Sequence, residues 1–398
     1  MIARAREKDR ARPPGALRKR GPVAKSLLES LEARRYQAVE ITDLKVSAFT
    51  IPTETPEADG TFAWESTTIV IVEIAGGGKQ GLGYTYADTA TAKLIDDKLK
   101  QVVVGGDAMS LSGAWLAMLH FIRNLGRPGI CSMAISAVDT ALWDLKARLL
   151  DLPLVTLLGQ VRGALPIYGS GGFTNYSNEQ LLAQLREWVE QGILRVKMKI
   201  GRDKRIDRQR VAAAREAIGE DVDLFVDANG AYSRKQALAQ AQAFKEFNVT
   251  WFEEPVSSDD LEGLRFIRDR APAGLDIVAG EYGYDIDYFR RLLDAGAVDV
   301  LQADATRCCG FTGFLQAASL CDAHHICLSS HCAPALHLHI GCATAAVQHA
   351  EYFHDHIRIE RMIFDGVVEP VGGALKPDLT RPGLGLTLKR ADAQKFAI

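Results

Sequence analysis

The sequence lacks the features that mark membrane, secreted or disulfide-rich proteins. No run approaches the about 18 consecutive apolar residues of a membrane-spanning helix, and the N-terminal segment has no apolar core of a secretory signal. The seven cysteines form an odd set without a CxxC pair, which suits neither a disulfide framework nor a zinc ribbon. We therefore expect a cytoplasmic protein without a membrane partner.

An excess of charge of either sign is also missing. The chain has 47 basic and 50 acidic residues and a formal net charge of -3, which disfavours nucleic acid or an anionic membrane as a partner. Basic residues are concentrated in residues 1–37, where Glu7 and Asp9 are the only acids among the first 20 residues. We interpret this segment as a flexible tail outside the fold, with a nucleic-acid-binding arm as the alternative.

Length and apolar pattern predict two domains. The 398 residues exceed the roughly 100 to 200 residues expected for one domain. Residues 41–51 and 66–74 have the β-branched, alternating pattern of strands, and the polar segment between them, residues 53–65, is typical of a loop. From residue 90 to about 158 the apolar period becomes helical. Residues 38–162 are therefore expected to form a small α+β domain.

After Gly163 the sequence alternates short β-branched strands with amphipathic helices. Eight strands in about 190 residues favour an α/β fold with a parallel (β/α)8 TIM-like barrel, here residues 163–370, over an open sheet. The expected strands are LPIYGS, LRVKMKI, VDLFVDA, VTWFEEP, DIVAGE, VDVLQAD, HICLSSH and QHAEYF.

Polar residues at the C-terminal ends of these strands are candidate active-site residues, because that end of a (β/α)8 barrel carries the catalytic groups. Seven such residues are separated by 28, 26, 28, 23, 27 and 20 positions, each about one strand–helix unit. The spacing predicts that they leave strands two to eight and point into one mouth. They are Lys199, Asp227, Glu253, Glu281, Asp304, His331 and Glu351.

Three of the seven, the carboxylate trio Asp227, Glu253 and Glu281, lie on neighbouring strands. One acid at a strand end is more often a helix N-cap or a solvated loop residue. Three anions in a partly desolvated mouth repel one another unless a cation joins them. Oxygen ligands without Cys or His select a hard ion, so the expected cofactor is Mg²⁺.

A lysine pair precedes the trio on strand two. Lys197 and Lys199 alternate with the apolar Val196, Met198 and Ile200, so both lysines share the strand face that points into the barrel. A second ammonium and a nearby cation would lower the pKa of Lys199 towards the range of a general base. A lysine pair bound to barrel carboxylates is the alternative.

His331 is the histidine that we single out. Eight of the nine histidines lie between His324 and His356, and most of them are expected to be structural. His331 instead ends a strand, and Asp304 at the end of the preceding strand could orient its ring and raise its basicity. The pair would form a second acid–base unit on the side of the mouth away from Lys199.

A series of short motifs resembles those of the enolase superfamily. In chain order they are Lys-x-Lys, Asp-Ala-Asn-Gly, Phe-Glu-Glu-Pro, Gly-Glu, Asp and Ser-Ser-His. Lys-x-Lys with an Asp/His pair resembles its mandelate racemase/muconate lactonizing enzyme family. Lys or His bases working with Mg²⁺ are the known chemistry of the superfamily. The resemblance covers about residues 40–398. It implies that the α+β domain caps the barrel mouth, that residues 371–398 return to this cap, and that the protein is a homo-oligomer.

The resemblance also implies residue roles. The carboxylate trio would bind Mg²⁺, Lys199 would be one base, and His331 with Asp304 would be the other. Lys197 would support the metal-bound substrate carboxylate, and Glu351 on strand eight would hydrogen-bond the developing enediolate. A purely structural acid is the alternative for Glu351.

The reaction implied is removal of the proton α to the carboxylate of a small-molecule acid. The enediolate could then lose a β-hydroxyl to give a 2-keto-3-deoxy acid, or be reprotonated on its other face by a racemase or epimerase. We expect dehydration of a sugar acid, because residues 53–66 of the cap are largely polar, although Phe62 and Trp64 would suit an aryl substrate. The expected substrate-binding residues are Thr53, Trp64 and Asn229.

A catalytically idle barrel used as a binding protein is the alternative of another class, but no charged member of the expected site is missing.

Overall fold

The computed structural model describes residues 38–398, and the basic tail, residues 1–37, lies outside the described residues. The described chain begins with an antiparallel sheet of three sequential strands, β1 (Ile41–Ala58), β2 (Ala63–Gly76) and β3 (Lys79–Tyr86). Helical segments follow, with a π-helical turn at Ile95–Leu99: they are α1 (Thr89–Leu94), α2 (Lys100–Val103), α3 (Leu111–Phe121), α4 (Ile130–Leu149) and α5 (Leu154–Leu158). The sheet, the π-helical turn and α1–α4 contribute to a hydrophobic core of their own, whereas the buried residues of α5 belong to the barrel core.

The polar segment expected to be a loop, residues 53–65, is mostly strand, so that expectation was wrong. β1 continues to Ala58 and pairs with β2 as far as Ala63, across a register shift between Pro52 and Glu57. A short turn closes this hairpin, and the Asp59 carboxylate accepts the backbone N–H groups of Thr61 and Phe62, each at 2.6 Å. The polar composition therefore belongs to a bulged, solvent-exposed hairpin.

The third strand was not predicted, because its glycines hide the strand pattern. Gly81 and Gly83 of β3 face α4, and a Cβ atom on either would lie 2.2 Å from the carbonyl oxygen of Ala141 or Ala137. Glycine at both positions allows the helix backbone to approach the strand closely. Most residues of α4 are buried.

The second part of the fold is a closed parallel barrel, as predicted. Its strands are β4 (Leu165–Gly171), β5 (Arg195–Lys199), β6 (Asp223–Asp227), β7 (Val249–Glu253), β8 (Asp276–Ala279), β9 (Val300–Ala303), β10 (Cys327–Ser330) and β11 (Val347–Phe353). β11 pairs with β4 and closes the barrel. The helices are α6 (Asn178–Glu190), α7 (Asp207–Ile218), α8 (Arg234–Phe244), α9 (Leu261–Arg268), α10 (Ile286–Asp294), α11 (Gly310–His324), α12 (Pro334–Ala343) and α13 (His354–Ile363).

The barrel interior is filled by a layer of aromatic side chains below the polar mouth. Tyr168, Phe225 and Trp251 point inward from β4, β6 and β7, and the rings of Phe225 and Trp251 stack with centroids 4.9 Å apart. Towards the C-terminal ends of the strands the inward residues become charged. The register pairs Lys199 with Asp227, and Asp227 with Glu253, so three charged side chains end neighbouring strands at one level.

The C-terminal segment contains short elements: β12 (Phe364–Asp365), β13 (Ala374–Leu375), β14 (Thr387–Leu388) and α14 (Arg390–Ala393). Ala397 forms a β-bridge with Phe49, and the Ile398 N–H donates to the Ala48 carbonyl, which connects the chain end to β1. The domain division at residue 162 stays a prediction. Within residues 38–398, no helix has the length and apolar character needed to cross a membrane.

Candidate active site

The seven strand-end residues come together in the barrel mouth, and all are buried. One oxygen from each member of the carboxylate trio lies within 4.8 Å of the others. In the absence of a cation, burial and the Asp227 charge raise the pKa of Glu253 to about 8. Two nearby buried oxygens, Asn229 Oδ1 and Glu254 Oε1, have no hydrogen-bond partner among the described residues. Oxygen donors of this kind and number fit a hard divalent cation with water or substrate completing its shell.

Lys197 lies at the centre of the anionic cluster. Its Nζ is 2.7 Å from both carboxylate oxygens of Glu253, 2.7 Å from Glu351 and 3.5 Å from Asp227. Burial acts to lower its pKa, but Glu253 and Glu351 outweigh burial and raise the pKa well above its ordinary value. Lys197 is therefore a permanent ammonium that neutralises part of the cluster.

Lys199 makes a 2.5 Å ion pair with Asp227. Burial acts to lower the pKa of Lys199, but the charge of Asp227 outweighs it, and the net pKa is raised. The sequence argument expected a lowered pKa, because it counted Lys197 and a bound cation but not this direct ion pair. The ion pair with Asp227 therefore favours the ammonium form of Lys199, and the lowered pKa expected beside a bound cation stays a prediction.

His331 and Asp304 form the expected pair, with Nδ1 of the ring 2.9 Å from Asp304 Oδ2. The other ring nitrogen, Nε2, is 3.0 Å from Glu281. Burial acts to lower the pKa of His331, but Cys332, Glu281 and the hydrogen bond to Asp304 outweigh burial and raise the pKa well above its ordinary value. Burial acts to raise the pKa of Asp304, yet hydrogen bonding to His331 holds it at about 2. The ring is therefore an imidazolium in a fixed orientation.

Glu351 is held by three groups. Ser170 Oγ donates to Oε1 at 2.6 Å, the Cys332 N–H donates to Oε2 at 2.9 Å, and Lys197 contacts Oε1. Burial acts to raise the pKa of Glu351, but Lys197 outweighs it and lowers the pKa well below its ordinary value. Glu351 is ionised in this state, so it has to gain a proton before it can donate a hydrogen bond to an enediolate.

A cavity of about 460 Å³ opens above these groups. Its walls include Lys199 and His331 from the barrel and Trp64 from the β1–β2 hairpin. Asn229 also lines the cavity, whereas Thr53 does not appear among its lining residues. Of the three predicted substrate-binding residues, the structure thus brings Trp64 and Asn229 to the cavity and leaves Thr53 away from it. Asp59, Thr61 and Phe62 of the hairpin turn line it instead.

Three residues of the site were not found from the sequence. Arg307 is 3.7 Å from Asp304 and 3.9 Å from Glu281, and Cys332 places its sulfur 3.3 Å from His331 Nε2. Glu254 is buried at a positive φ of 38° beside the carboxylate trio. The second glutamate of Phe-Glu-Glu-Pro was a usable signal for Glu254. Arg307 and Cys332 lie in loops, where strand periodicity gives no direction to a side chain.

A closed barrel with acids, lysines and a His–Asp pair on consecutive strand ends is the arrangement of the enolase superfamily. Residues 43–159 match the "Mandelate racemase / muconate lactonizing enzyme, N-terminal domain", and residues 180–393 match "Enolase C-terminal domain-like". The chain belongs to the mandelate racemase/muconate lactonizing enzyme family.

Characterised relatives act on sugar acids and related compounds. The 3,6-anhydro-alpha-L-galactonate cycloisomerase of Streptomyces coelicolor is 32% identical over 87% of this chain and 97% of its own length. The L-talarate/galactarate dehydratase of Salmonella typhimurium is 31% identical over 87% of this chain and 88% of its own length.

Solved structures of the family superpose closely. A mandelate racemase/muconate lactonizing enzyme-like protein from Rubrobacter xylanophilus has a TM-score of 0.89 and 54% identity, covering 90% of this chain and all of its own. The Salmonella dehydratase, solved with Mg and L-lyxarohydroxamate, has a TM-score of 0.84 and 28% identity, covering 98% of both chains.

Proposed function

We propose that this protein is a Mg²⁺-dependent dehydratase of a sugar acid that forms a 2-keto-3-deoxy acid. The observation that carries the proposal is that Lys199 of β5 and His331, which follows β10, line one cavity together with Glu281 of the carboxylate trio. The dehydratases among the relatives support the substrate class.

The carboxylate trio would hold Mg²⁺, which when bound supplies positive charge to the carboxylate whose α-proton is removed. The Asp227–Lys199 ion pair is the contact that has to weaken for Lys199 to lose its proton. A cation that shares the Asp227 charge and a substrate that fills the cavity both act in this direction. Neutral Lys199 would then accept the α-proton.

His331 would donate a proton to the departing β-hydroxyl. Asp304 holds Nδ1 and thereby directs Nε2 towards the cavity, and the raised pKa of His331 keeps the ring protonated at neutral pH. Lys197 would stay an ammonium and balance charge in the cluster. Removal of the α-hydrogen and of the β-hydroxyl as water leaves an enol, which becomes the ketone when carbon 3 takes up a proton.

Racemisation or epimerisation is the second candidate, because groups on two sides of one carbon also serve that reaction. A solved relative named as a racemase, from Streptomyces coelicolor, carries bound magnesium. An idle barrel has no support in the site, since every expected charged group is in place. The β1–β2 hairpin favours dehydration, because Asp59 and Thr61 line the cavity and can bind substrate hydroxyls.

The experiment is a screen of aldonic and aldaric acids with Mg²⁺, in which 2-keto acid formation and C2 epimerisation are measured side by side. We expect keto acid from at least one sugar acid. Lys199→Met should abolish it, whereas Lys204→Met, an exposed lysine in the loop after β5, should not. Epimerisation without keto acid, or turnover by Lys199→Met at the wild-type rate, would contradict the proposal.

The cellular setting is also part of the proposal. Among the described residues all seven cysteines are free, and six of them are buried, which agrees with a reducing cytoplasm. The family resemblance is the support for a homo-oligomer. Fractionation of cells and light scattering of the purified protein test these two points.

A further inference from the structure

A second cluster of ligating atoms lies in the mouth beside the carboxylate trio. His331 Nε2, Cys332 Sγ and Glu351 Oε2, here termed the thiol site, are all buried and lie within 4.8 Å of one another. The sulfur is 3.3 Å from His331 Nε2 and 3.5 Å from Glu351 Oε2, and the nitrogen and this oxygen are 3.8 Å apart. Cys332 has no part in the reaction proposed above.

These separations are close to the distances between neighbouring ligand atoms in a tetrahedral zinc site. With Zn–S of about 2.3 Å and Zn–N or Zn–O of about 2.0 Å, neighbouring ligand atoms lie about 3.3 to 3.5 Å apart. The sulfur–oxygen separation agrees, the sulfur–nitrogen separation is shorter by about 0.2 Å and the His331–Glu351 separation is longer by about 0.5 Å, so an ion requires shifts of a few tenths of an ångström. The cavity borders all three residues, so water can fill the fourth position.

The surroundings already fix the three ligands. Asp304 binds Nδ1 of His331, which is the carboxylate–histidine arrangement common behind metal-ligating imidazoles. Ser170 and Lys197 hold the other oxygen of Glu351. Cys332 lies at a positive φ of 50°, and this left-handed turn aims its N–H and its sulfur at Glu351. The site therefore needs little rearrangement to accept an ion.

We propose that the thiol site binds a thiophilic divalent cation, Zn²⁺ or Cd²⁺, and that this ion inhibits the enzyme. Sulfur and imidazole ligands favour such ions over Mg²⁺, whereas the all-oxygen trio favours Mg²⁺, so the two sites select different metals. Two protons are released to solvent as the ion binds: the thiol proton of Cys332 when the metal–sulfur bond forms, and the Nε2 proton of His331 when the metal–nitrogen bond replaces its contact with Glu281. The bound ion occupies Nε2 of His331 and Glu351, and this inhibition rests on the proposed function.

Binding is tested without activity, by titrating the Mg²⁺-saturated protein with Cd²⁺ and following the ultraviolet sulfur-to-cadmium charge-transfer band. We expect the band to saturate at one Cd²⁺ per chain, to persist in Cys327→Ser, which changes an exposed cysteine at the start of β10, and to be absent in Cys332→Ser. A missing band in the wild type, or an unchanged band in Cys332→Ser, would overturn the site. Circular dichroism verifies folding, and Cys332→Ala replaces the serine variant if that variant is unfolded.

The number of ligands is tested with His331→Asn. Loss of one ligand should weaken Cd²⁺ at least about 10-fold, the lower end of the effect seen when even the supporting residues of metal sites are changed. Unchanged affinity would show a thiol acting alone and overturn the three-ligand site.

In the activity arm, Zn²⁺ should inhibit the wild type at a concentration at least about 10-fold lower than it needs for Cys332→Ser. Absence of turnover before Zn²⁺ is added speaks against the proposed function, while equal inhibition of both proteins speaks against the site.

Discussion

At the scale of single residues, the site is organised by charge pairing among buried groups. Lys197 contacts Glu253 and Glu351, and Lys199 contacts Asp227. Breaking one member of such a buried pair leaves an uncompensated charge, so these residues stabilise one another as well as the site. A conservative replacement that removes charge is therefore a sharper probe of chemistry than truncation.

His331→Asn separates the two halves of the proposed reaction. Asparagine retains polarity but cannot supply a proton, so loss of the β-hydroxyl should slow about 10²-fold or more while Lys199 still removes the α-proton. The measurement is deuterium uptake at C2 of the substrate in D₂O beside keto-acid formation. We expect exchange to persist and product to fall, with His324→Asn, at the C-terminal end of α11, behaving as wild type.

The opposite result for His331→Asn is equally informative. If the variant loses C2 exchange together with the product, His331 is the base for that proton and the assigned roles are reversed. If both continue at the wild-type rate, His331 is not an acid–base group.

The residues that sequence reasoning located and those that it missed differ in their place on the fold. One polar residue per strand end, repeated at the length of the strand–helix unit, indicated the seven strand-end residues that the structure brings to the mouth. Arg307 and Cys332 were missed because loop conformation, not periodicity, brings them there. The 2.5 Å ion pair of Lys199 with Asp227, which opposes the expected lowering of the lysine pKa, depends on a rotamer that the sequence does not specify.

At the scale of elements, the β1–β2 hairpin forms one wall of the cavity. A buried acid in this hairpin, Glu57, makes the stability of the folded protein depend on pH. Glu57 is 2% exposed, and its Oε2 accepts the Trp64 Nε1–H at 2.9 Å. Burial and the charge of Asp355 raise the pKa of Glu57 from 4.5 to about 8. Between these two values the folded protein keeps a proton that the unfolded chain has released, so stability falls as pH rises through this window.

Glu57→Gln should remove this dependence. The amide stays neutral and its oxygen can still accept from Trp64, so the melting temperature of the variant relative to wild type should rise between about pH 5 and pH 8. Thermal unfolding followed across that range measures the difference. Glu65→Gln, an exposed change on the same hairpin, is the control. Parallel curves for Glu57→Gln and wild type would show that Glu57 is ionised in the folded protein.

Element prediction was most accurate where the apolar period was regular. The eight barrel strands occupy the predicted segments, because they are short runs buried on both faces and most of them are rich in apolar residues. The hairpin was predicted too short, since its outer half is polar and bulged and is stabilised by Asp59 and by contacts distant in sequence. β3 was missed, since Gly81 and Gly83 serve packing against α4 rather than strand propensity.

At the scale of the whole molecule, two hydrophobic cores support one site. The sheet and α4 enclose one core, and the barrel and its helices enclose the other. The cavity has walls from both parts, Trp64 from the hairpin and Lys199 and His331 from the barrel.

The central claim is tested most directly by one product analysis. The sugar acid found in the screen is incubated in D₂O with Mg²⁺ and with excess EDTA, and products are identified by nuclear magnetic resonance, while circular dichroism verifies that chelated protein stays folded on its own core. We predict a 2-keto-3-deoxy acid with one solvent-derived deuterium at carbon 3 when Mg²⁺ is present, and no product with EDTA. Starting acid deuterated at C2 and epimerised, with no keto acid, or undiminished turnover in EDTA, would contradict the account.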